Sequence, residues 1–439
     1  MSIFSLPVNF QHTFRSFKYR NYRLYFIGQG VSLIGTWMQQ AAMPWLVYRL
    51  TGSVLLLGIV GFASMIPSSI LTPIAGVMLD RWNRHRVLLI TQVLSMLQAL
   101  MLAALFFTGV IQVWHIMVMG IFLGCINAFD MPTRQSFIVD LVEDKQDLAN
   151  VVALNASLFN GARLVGPSLA GMIIAVAGEG VCFLVNGASF ICIIVTLLLM
   201  KIPCRTVNKT SGHMKDFKEG LKYVFGFPPI RSIILLLALV SLMGLPYMVL
   251  MPAIAKDMLQ GDAYTYGFLM AATGVGALTG AFYLASRKTV VGLTKVIPIS
   301  IAIFGCGLVL FSLSRSFWLS AGLMYFTGLG MMMHMASGNT ILQTIVDDDK
   351  RGRAMSFYIL AFMGIAPWGS LLTGSVAHAI GTPATLAIGG GVCILGAIIF
   401  AFQLRAINKA VHPIYVRLGI LPPVSAGLQA ATQLTTPKE

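Results

Sequence analysis

Long stretches of this chain contain no charged residue. They are rich in Leu, Ile, Val, Ala and Phe, and a membrane-spanning helix needs about 20 consecutive residues of that kind. Each stretch is therefore long enough to predict at least one transmembrane helix. The charge-free stretches are 24–48, 50–79, 87–129, 180–200, 232–255, 263–286, 296–314, 316–346 and 354–404.

The two longest stretches each predict two helices, because one span cannot use so many residues. Polar, Gly and Pro residues at 108–112 and 381–383 mark the turns between them. A further span, about 149–176, is interrupted only by Arg163. Together these patterns predict an all-α polytopic membrane protein with 12 transmembrane helices in two six-helix halves. The predicted divisions are an N-terminal half at 1–200, a cytoplasmic linker at 201–230 with an amphipathic helix around His213 to Phe225, a C-terminal half at 231–406 and a cytoplasmic tail at 407–439.

Composition supports this reading, since 57% of the residues are hydrophobic and 10% are charged, against roughly 25% charged in a soluble domain. The net charge of +15 is distributed unevenly. If the N-terminus is cytoplasmic, 26 of the 30 Lys and Arg residues lie on the cytoplasmic side. This bias predicts a cytoplasmic (inner) membrane protein with both termini in the cytoplasm. We therefore expect the basic residues to contact anionic lipid headgroups, and we expect no nucleic acid partner.

A motif follows the second predicted span, with Gly76, Asp80, Arg81 and Arg84 at its key positions. It resembles the signature of the major facilitator superfamily, in which a glycine, an Asp-Arg pair and further bases occupy the loop between helices two and three. One departure is Asn83, where the family prefers glycine. Because Asn tolerates a left-handed backbone, we expect the turn to survive. The alternative is a basic loop that contains one aspartate by chance.

The resemblance implies the major facilitator fold and a conformational latch. In that family the motif's aspartate and arginine hold the two halves together in the outward-open state, often with an acid at the cytoplasmic end of helix four. Asp130 stands at that position in this sequence. The resemblance therefore assigns the latch to Gly76, Asp80, Arg81, Arg84 and Asp130.

The fifth span carries a second motif, formed by Gly161, Gly166, Pro167 and Gly171. It is similar to the Gly-Pro motif of antiporters and exporters in the same superfamily. Proline bends a membrane helix and glycines let a neighbouring helix approach, so plain helix packing is the alternative. Patterns at 132–135 and 351–356 resemble the subgroup of siderophore exporters and macrolide efflux proteins.

Polar residues inside the spans are candidates for a cavity wall, a substrate site or a coupling site. Gln29, Ser32, Thr36 and Gln40 form one stripe along the first span, which must face water or protein. Hydrogen bonding between helices is the alternative to a cavity wall.

Arg163 lies deep in its span, and Asn160 and Pro167 share its face at helical spacing. A charge at that depth is functional by default, although a structural arginine is an equally weighted alternative. His334 and Ser337 form a shorter polar face in the tenth span. They lie within a methionine-rich run, but consecutive helical residues cannot converge on one metal ion, so we expect no metal site and no cofactor.

These patterns predict a secondary active transporter and not an enzyme, because the sequence has no catalytic cluster and no nucleotide-binding loop. The resemblance implies export of an amphipathic drug or siderophore by alternating access, with proton antiport, and we expect a functional monomer. No carboxylate lies in mid-span, so His334 is the candidate proton carrier, and a buried neutral histidine is the alternative. The alternatives are a flippase for lysophospholipid or glycolipid and, less favoured, a metal transporter or a membrane receptor.

Overall fold

The computed structural model describes residues 15–421, apart from 80–81, 143, 145–146, 201–220 and 288. Within that part of the chain every regular element is helical, which confirms the predicted all-α architecture. Twelve long helices follow a short 3-10 turn at Arg15–Lys18. They are α1 (Arg20–Thr51), α2 (Val54–Leu79), α3 (Arg84–Phe107), α4 (Val113–Asp140), α5 (Leu148–Ala177), α6 (Glu179–Leu199), α7 (Pro228–Leu239 continuing to Met258), α8 (Ala263–Ala285), α9 (Leu293–Leu313), α10 (Phe317–Ile345), α11 (Asp348–Ile359 continuing to Ile380) and α12 (Thr382–Arg417).

Ten of these helices are long and apolar enough to cross a membrane by length and composition. The other two, α1 and α10, have 32 and 29 residues and are long enough to cross, but they are more polar. Their lower hydropathy comes from the same Gln, Ser and His residues that the sequence marks as a candidate pathway.

Two helices of the second half contain π-helical turns. In α7 these turns are Val240–Gly244 and Ile254–Met258, and in α11 the turn is Leu360–Gly364. The Leu245 N–H donates to the Val240 carbonyl, five residues back, at 2.9 Å. Each π turn inserts one residue into the helical repeat, so the side chains on either side change register. The described helices of the first half contain no such turn.

The loop after α2 differs from the expectation for Asn83. Its φ is −71° and its ψ is 110°, so the backbone is extended and not left-handed. The Asn83 side chain instead caps α3 by accepting a hydrogen bond from the Arg86 N–H at 3.2 Å. Asparagine is among the preferred N-cap residues, and this role requires an extended backbone.

The helices pack as two related halves. In the first half α4 contacts α2 and α3, and α6 contacts α1 and α3; in the second, α10 contacts α8 and α9, and α12 contacts α9. The main contacts between the halves are α2 with α11 and α5 with α8. Since a shift of six helices converts one pair into the other, the interface has an internal two-fold symmetry.

The bundle has two ends, which we name for use below. The terminal end contains the start of α1 and the end of α12, and the opposite end contains the loops that follow α1, α3, α5, α7, α9 and α11. At the terminal end α12 continues to Arg417, past residue 406 where the tail is predicted to begin. Val411 is buried there, and the Thr294 hydroxyl donates to Asn408 Oδ1 at 2.7 Å. In the linker, residues 221–226 are helical, and the rest of the predicted helix lies outside the described residues.

Candidate transport pathway

Glycines bring the backbones of the two halves into contact toward the opposite end. A methyl group on Gly58 of α2 would stand 2.8 Å from the Gly374 Cα of α11. A methyl group on Gly171 of α5 would likewise stand 2.7 Å from the Gly267 Cα of α8. Neither contact leaves room for a side chain, because ordinary van der Waals contact begins at about 3.4 Å. The two symmetry-related interfaces are therefore both closed near this end.

Aromatic and polar side chains complete the closure of the opposite end. Trp45 of α1 stacks on Tyr266 of α8 with ring centroids 5.5 Å apart, and the Tyr266 hydroxyl donates to the Ala41 carbonyl at 3.2 Å. The Tyr48 hydroxyl donates a short hydrogen bond to the Asp257 carboxylate at the end of α7. These contacts all join the first half to the second.

Three ion pairs at the terminal end each lie within one half. Arg84 Nη1 lies 2.9 Å from Asp140 Oδ2 in the first half, and Arg417 Nη2 lies 2.8 Å from Asp347 Oδ1 in the second. The Asp147 carboxylate at the start of α5 accepts from Lys18 Nζ at 2.7 Å, and this hydrogen bond lowers the pKa of Asp147.

Two of the predicted latch residues, Arg84 and Asp130, have different ion-pair partners in this conformation. Asp130 pairs with Arg134 of its own helix and accepts hydrogen bonds from Thr91 at 2.9 Å and Gln92 at 2.6 Å. It therefore makes no ion pair with Arg84. Gly76 has nothing within 4 Å of the place where a side chain would begin. Asp80 and Arg81 lie outside the described residues, and the latch stays a prediction.

One face of α5 becomes more exposed toward the terminal end. Residues 153, 156, 160, 163, 167 and 170 share this face by helical spacing. Ala170 and Pro167 are buried, Arg163 and Asn160 are half-buried, and Ala156 is exposed, as is residue 153. The accessibility of side chains on this face therefore increases away from the closed end. The Asn160 side-chain amide donates to the Ala156 carbonyl of its own helix at 2.8 Å.

Arg163 lies at the inner end of the accessible part of this face, next to buried Pro167. It follows Leu148, the first residue of α5, by 15 residues, or roughly 22 Å along the axis. Its guanidinium carbon is 5.7 Å from the ring centroid of Trp37 in α1, and Tyr247 of α7 lies in its neighbourhood. The structure thus brings together groups from three helices and both halves. The sequence did not single out Trp37 or Tyr247, although each is an aromatic residue in mid-span.

The polar stripe of α1 is mostly enclosed. Gln29 and Ser32 are buried, Thr36 is half-buried and donates to the Ser32 carbonyl at 2.9 Å, and Gln40 is exposed. The stripe lies between two packing surfaces of α1. One contains Gly30 and packs on α5, and the other contains Gly28 and Gly35 and packs on α6.

A neighbouring polar network was not predicted. The Gln39 side chain donates to Gln98 Oε1 of α3 at 2.9 Å and accepts from Asn186 Nδ2 of α6 at 2.8 Å. It ties three helices of the first half together. A buried amide side chain in a membrane span costs free energy unless it forms hydrogen bonds. The three amide residues in the spans could therefore have indicated this network from the sequence.

His334 and Ser337 are both buried in α10. The two ring nitrogens of His334 form no hydrogen bond with a described residue, and neither does the Ser337 hydroxyl. One turn away, Gly338 packs near Tyr358, whose hydroxyl donates to the Met335 carbonyl at 2.7 Å. The predicted pair is therefore an enclosed polar spot with unused hydrogen-bonding capacity.

The glycines of the Gly-Pro motif have three different environments. Gly166 packs against the backbone of α1 beside Trp37, and Gly171 packs against α8. Gly161 has nothing within 4 Å of its missing side chain. Pro167 follows Gly166 directly, and its carbonyl oxygen lies 3.1 Å from the place where a Gly267 side chain would begin. The motif therefore joins α5 to a helix of each half at the level just beyond Arg163.

Comparison with known proteins identifies relatives over almost the whole chain. The family described as transmembrane secretion effector, of the major facilitator type, matches residues 11–416. The staphyloferrin A transporter of Staphylococcus aureus is 24% identical over 88% of this chain and 97% of its own length. The multidrug efflux pump Tap of Mycolicibacterium fortuitum is 25% identical, with 88% and 95% covered. Macrolide efflux protein A of Streptococcus pyogenes is 21% identical, with 87% and 96% covered.

Solved structures of transporters share the fold. A bacterial homologue of the human lysosomal transporter Spinster, in an inward-facing and unoccupied conformation, gives a TM-score of 0.70 at 12% identity over 89% of this chain and 98% of its own. An inward-facing bacterial homologue of the iron transporter ferroportin gives 0.66 at 17% identity, with 88% and 98% covered. These likenesses confirm the predicted fold of two six-helix halves.

Proposed function

The chain belongs to the transmembrane secretion effector family of major facilitator transporters, and on that premise we propose that it exports an amphipathic small molecule by alternating access. The protein is a multi-pass membrane transporter and not an enzyme. The proposed cargo class is a drug or a siderophore, because the relatives include a staphyloferrin A transporter, a multidrug pump and a macrolide efflux protein. We further propose that it works as a monomer, since both halves of the pathway come from one chain.

The observation that carries the proposal is the uneven distribution of contacts between the halves. They meet closely toward the opposite end, while the face of α5 that lies between them becomes exposed toward the terminal end. The positive-inside bias supports a cytoplasmic terminal end, so this conformation corresponds to one that takes cargo from the cytoplasm. In the reverse conformation, Gly76, Asp80, Arg81, Arg84 and Asp130 would hold the terminal end closed.

A reversible cross-link tests alternating access. The position for a Gly61 side-chain carbon lies 3.3 Å from Ser370 Cβ, close to the roughly 3.5–4.5 Å between Cβ atoms in disulfides. In a variant without the six native cysteines, Gly61→Cys with Ser370→Cys should oxidise to a disulfide that fixes the opposite end closed. Export should stop on oxidation and return on reduction, whereas each single-cysteine variant should be insensitive. Unchanged export with a complete cross-link would refute alternating access.

Metabolite profiling tests the cargo class. Cells that express the protein should retain less of one or more amphipathic compounds than cells that lack it, and everted membrane vesicles should accumulate the same compounds. A siderophore or drug in this set would support the proposal. Lysophospholipid or glycolipid alone would instead assign the chain as a flippase, which is the alternative from the sequence.

We propose proton antiport from the exporter resemblance, with His334 as the candidate proton carrier. A buried imidazole without hydrogen-bond partners can exchange a proton when its surroundings open to water. Collapse of the pH gradient should stop uptake into everted vesicles, and His334→Gln should make the remaining uptake independent of that gradient. Uptake that continues unchanged after the gradient is collapsed would refute the antiport.

A further inference from the structure

Arg163 carries a positive charge that no acidic side chain balances. The sequence contains no Asp or Glu between Asp147 and Glu179. The structure gives Arg163 a cation–π contact with Trp37, but no ion pair with a described residue. Charged groups inside membrane spans normally pair with a partner or face a water-filled cavity. The Arg163 guanidinium therefore has unused capacity to bind an anion.

The groups beside Arg163 are suited to an oxyanion. A guanidinium offers five N–H donors and no acceptor. Tyr247 neighbours Arg163 and Thr273 and is 1% exposed, and no described residue lies at ordinary hydrogen-bonding geometry to its hydroxyl. Trp37 holds the guanidinium by a cation–π contact, and Phe159 meets the Trp37 ring edge to face at 5.5 Å. The result is a set of unused donors within an aromatic surround.

The location makes this set reachable from one end only. Asn160 and Ala156 continue the Arg163 face of α5 toward the exposed terminal end, while Gly171 and Gly267 close the other direction. Trp37 and Arg163 belong to the first half, and Tyr247 belongs to the second. A ligand bound here would thus contact both halves.

We propose that Arg163, Trp37 and Tyr247 form a binding site for a carboxylate group on the exported molecule. This inference rests on the proposed export function and names the chemistry that its cargo presents. The planar guanidinium matches the two oxygens of a carboxylate, the Tyr247 hydroxyl supplies a third donor, and the neighbouring aromatic rings receive the apolar part of the molecule. A cationic or neutral analogue would leave the guanidinium unpaired.

Binding of paired probes tests the site. Purified protein in phosphatidylcholine nanodiscs at pH 7.5 would be titrated with eight amphipathic carboxylic acids, fusidic acid among them, and with the methyl ester of each. In at least one pair we expect the acid to bind about ten- to a hundred-fold more tightly than its ester, as for a hydrogen bond to a charged group. If no acid binds more tightly than its ester in any pair, the proposal is overturned.

Substitutions then assign the selectivity to this site. Arg163→Gln should abolish the preference for the acid, Arg163→Lys should retain part of it, and Tyr247→Phe should reduce it by a few-fold. Arg315→Gln, which removes one exposed charge by the same exchange in the loop before α10, should leave the preference unchanged. A preference that survives in correctly folded Arg163→Gln protein would refute the assignment. If Arg163→Gln does not fold, the other two variants decide. A full wild-type preference for the acid in both Tyr247→Phe and Arg163→Lys would refute the assignment.

The binding measurement is independent of transport. Loss of the acid preference with normal export of other compounds would count against the carboxylate site alone. Intact acid preference in a protein that exports nothing would count against the proposed export function alone. The two hypotheses therefore fail separately.

Discussion

Adding a single methyl group to Gly171 should shift the protein away from the conformation described above. The methyl of Gly171→Ala would stand 2.7 Å from the Gly267 Cα, where ordinary contact begins at 3.4 Å. The backbones of α5 and α8 would therefore have to separate by about 0.7 Å, since neither can rotate away as a side chain can. Overpacking of this kind typically costs about 1–3 kcal/mol. In the proposed cycle this contact belongs to the conformation closed at the opposite end, so the ratio of the two conformations should change by about 5- to 150-fold.

Gly161→Ala is the matched control, because it makes the same exchange on the same helix in open space. Both substitutions gain about 0.5–1 kcal/mol of helix propensity, so their difference isolates the interhelical contact. Distances between spin labels at Val110→Cys and Arg315→Cys, in the loops after α3 and α9, would report separation of the opposite end. A longer distance should gain population in Gly171→Ala only. Equal distance distributions in the two variants would refute the reasoning, even if Gly171→Ala lowers the melting temperature.

Three further changes test other contacts. Tyr48→Phe removes the hydrogen bond to Asp257 across the opposite end, and at about 1 kcal/mol it should raise the population of the longer spin-label distance by a few-fold; no change would exclude a closing role for this bond. The hydrogen bond from Lys18 lowers the pKa of Asp147 below the ordinary aspartate value of 3.8. The stabilising effect of Asp147 is therefore present above that pH and is lost as the pH falls through the lowered pKa. The difference in melting temperature between wild type and Asp147→Asn should therefore be constant from pH 7 to pH 5 and shrink below about pH 4, and a constant difference down to pH 3 would contradict this. Asp80→Asn should lower export without lowering the amount of protein in the membrane, and wild-type export in that variant would contradict the latch.

The sequence was sufficient for the helices because charge is excluded from the hydrocarbon core. Every charge-free stretch became one or two helices, including the division of α3 from α4 at 108–112 and of α11 from α12 at 381. The π turns of α7 and α11 were not predictable, because their composition does not differ from that of a regular membrane helix. The length of α12 was also missed, since its last residues are basic but bury Val411 against the bundle.

The candidate pathway was only partly predictable. The depth of Arg163 follows from counting residues, and the structure agrees. Its neighbours Trp37 and Tyr247 come from helices far apart in sequence, so no local pattern could join them. Gly161 and Gly171 look alike within their motif, yet only the packing of α5 against α8 distinguishes an open position from a tight contact. Asn83 was placed in the loop correctly, but its backbone is extended because the side chain caps α3.

The uncompensated charge of Arg163 also makes the empty transporter sensitive to voltage. In the proposed cycle this residue stays in place while its access to water changes from one side of the membrane to the other. The electrical potential at the charge therefore changes from that of one side to that of the other. One elementary charge transferred in this way is worth about 2.3 kcal/mol per 100 mV, or about 50-fold in population. A potential that is negative in the cytoplasm would return the empty protein to the cytoplasm-open conformation. A bound anion would cancel the charge, and the membrane potential would then no longer oppose the loaded protein as it turns outward.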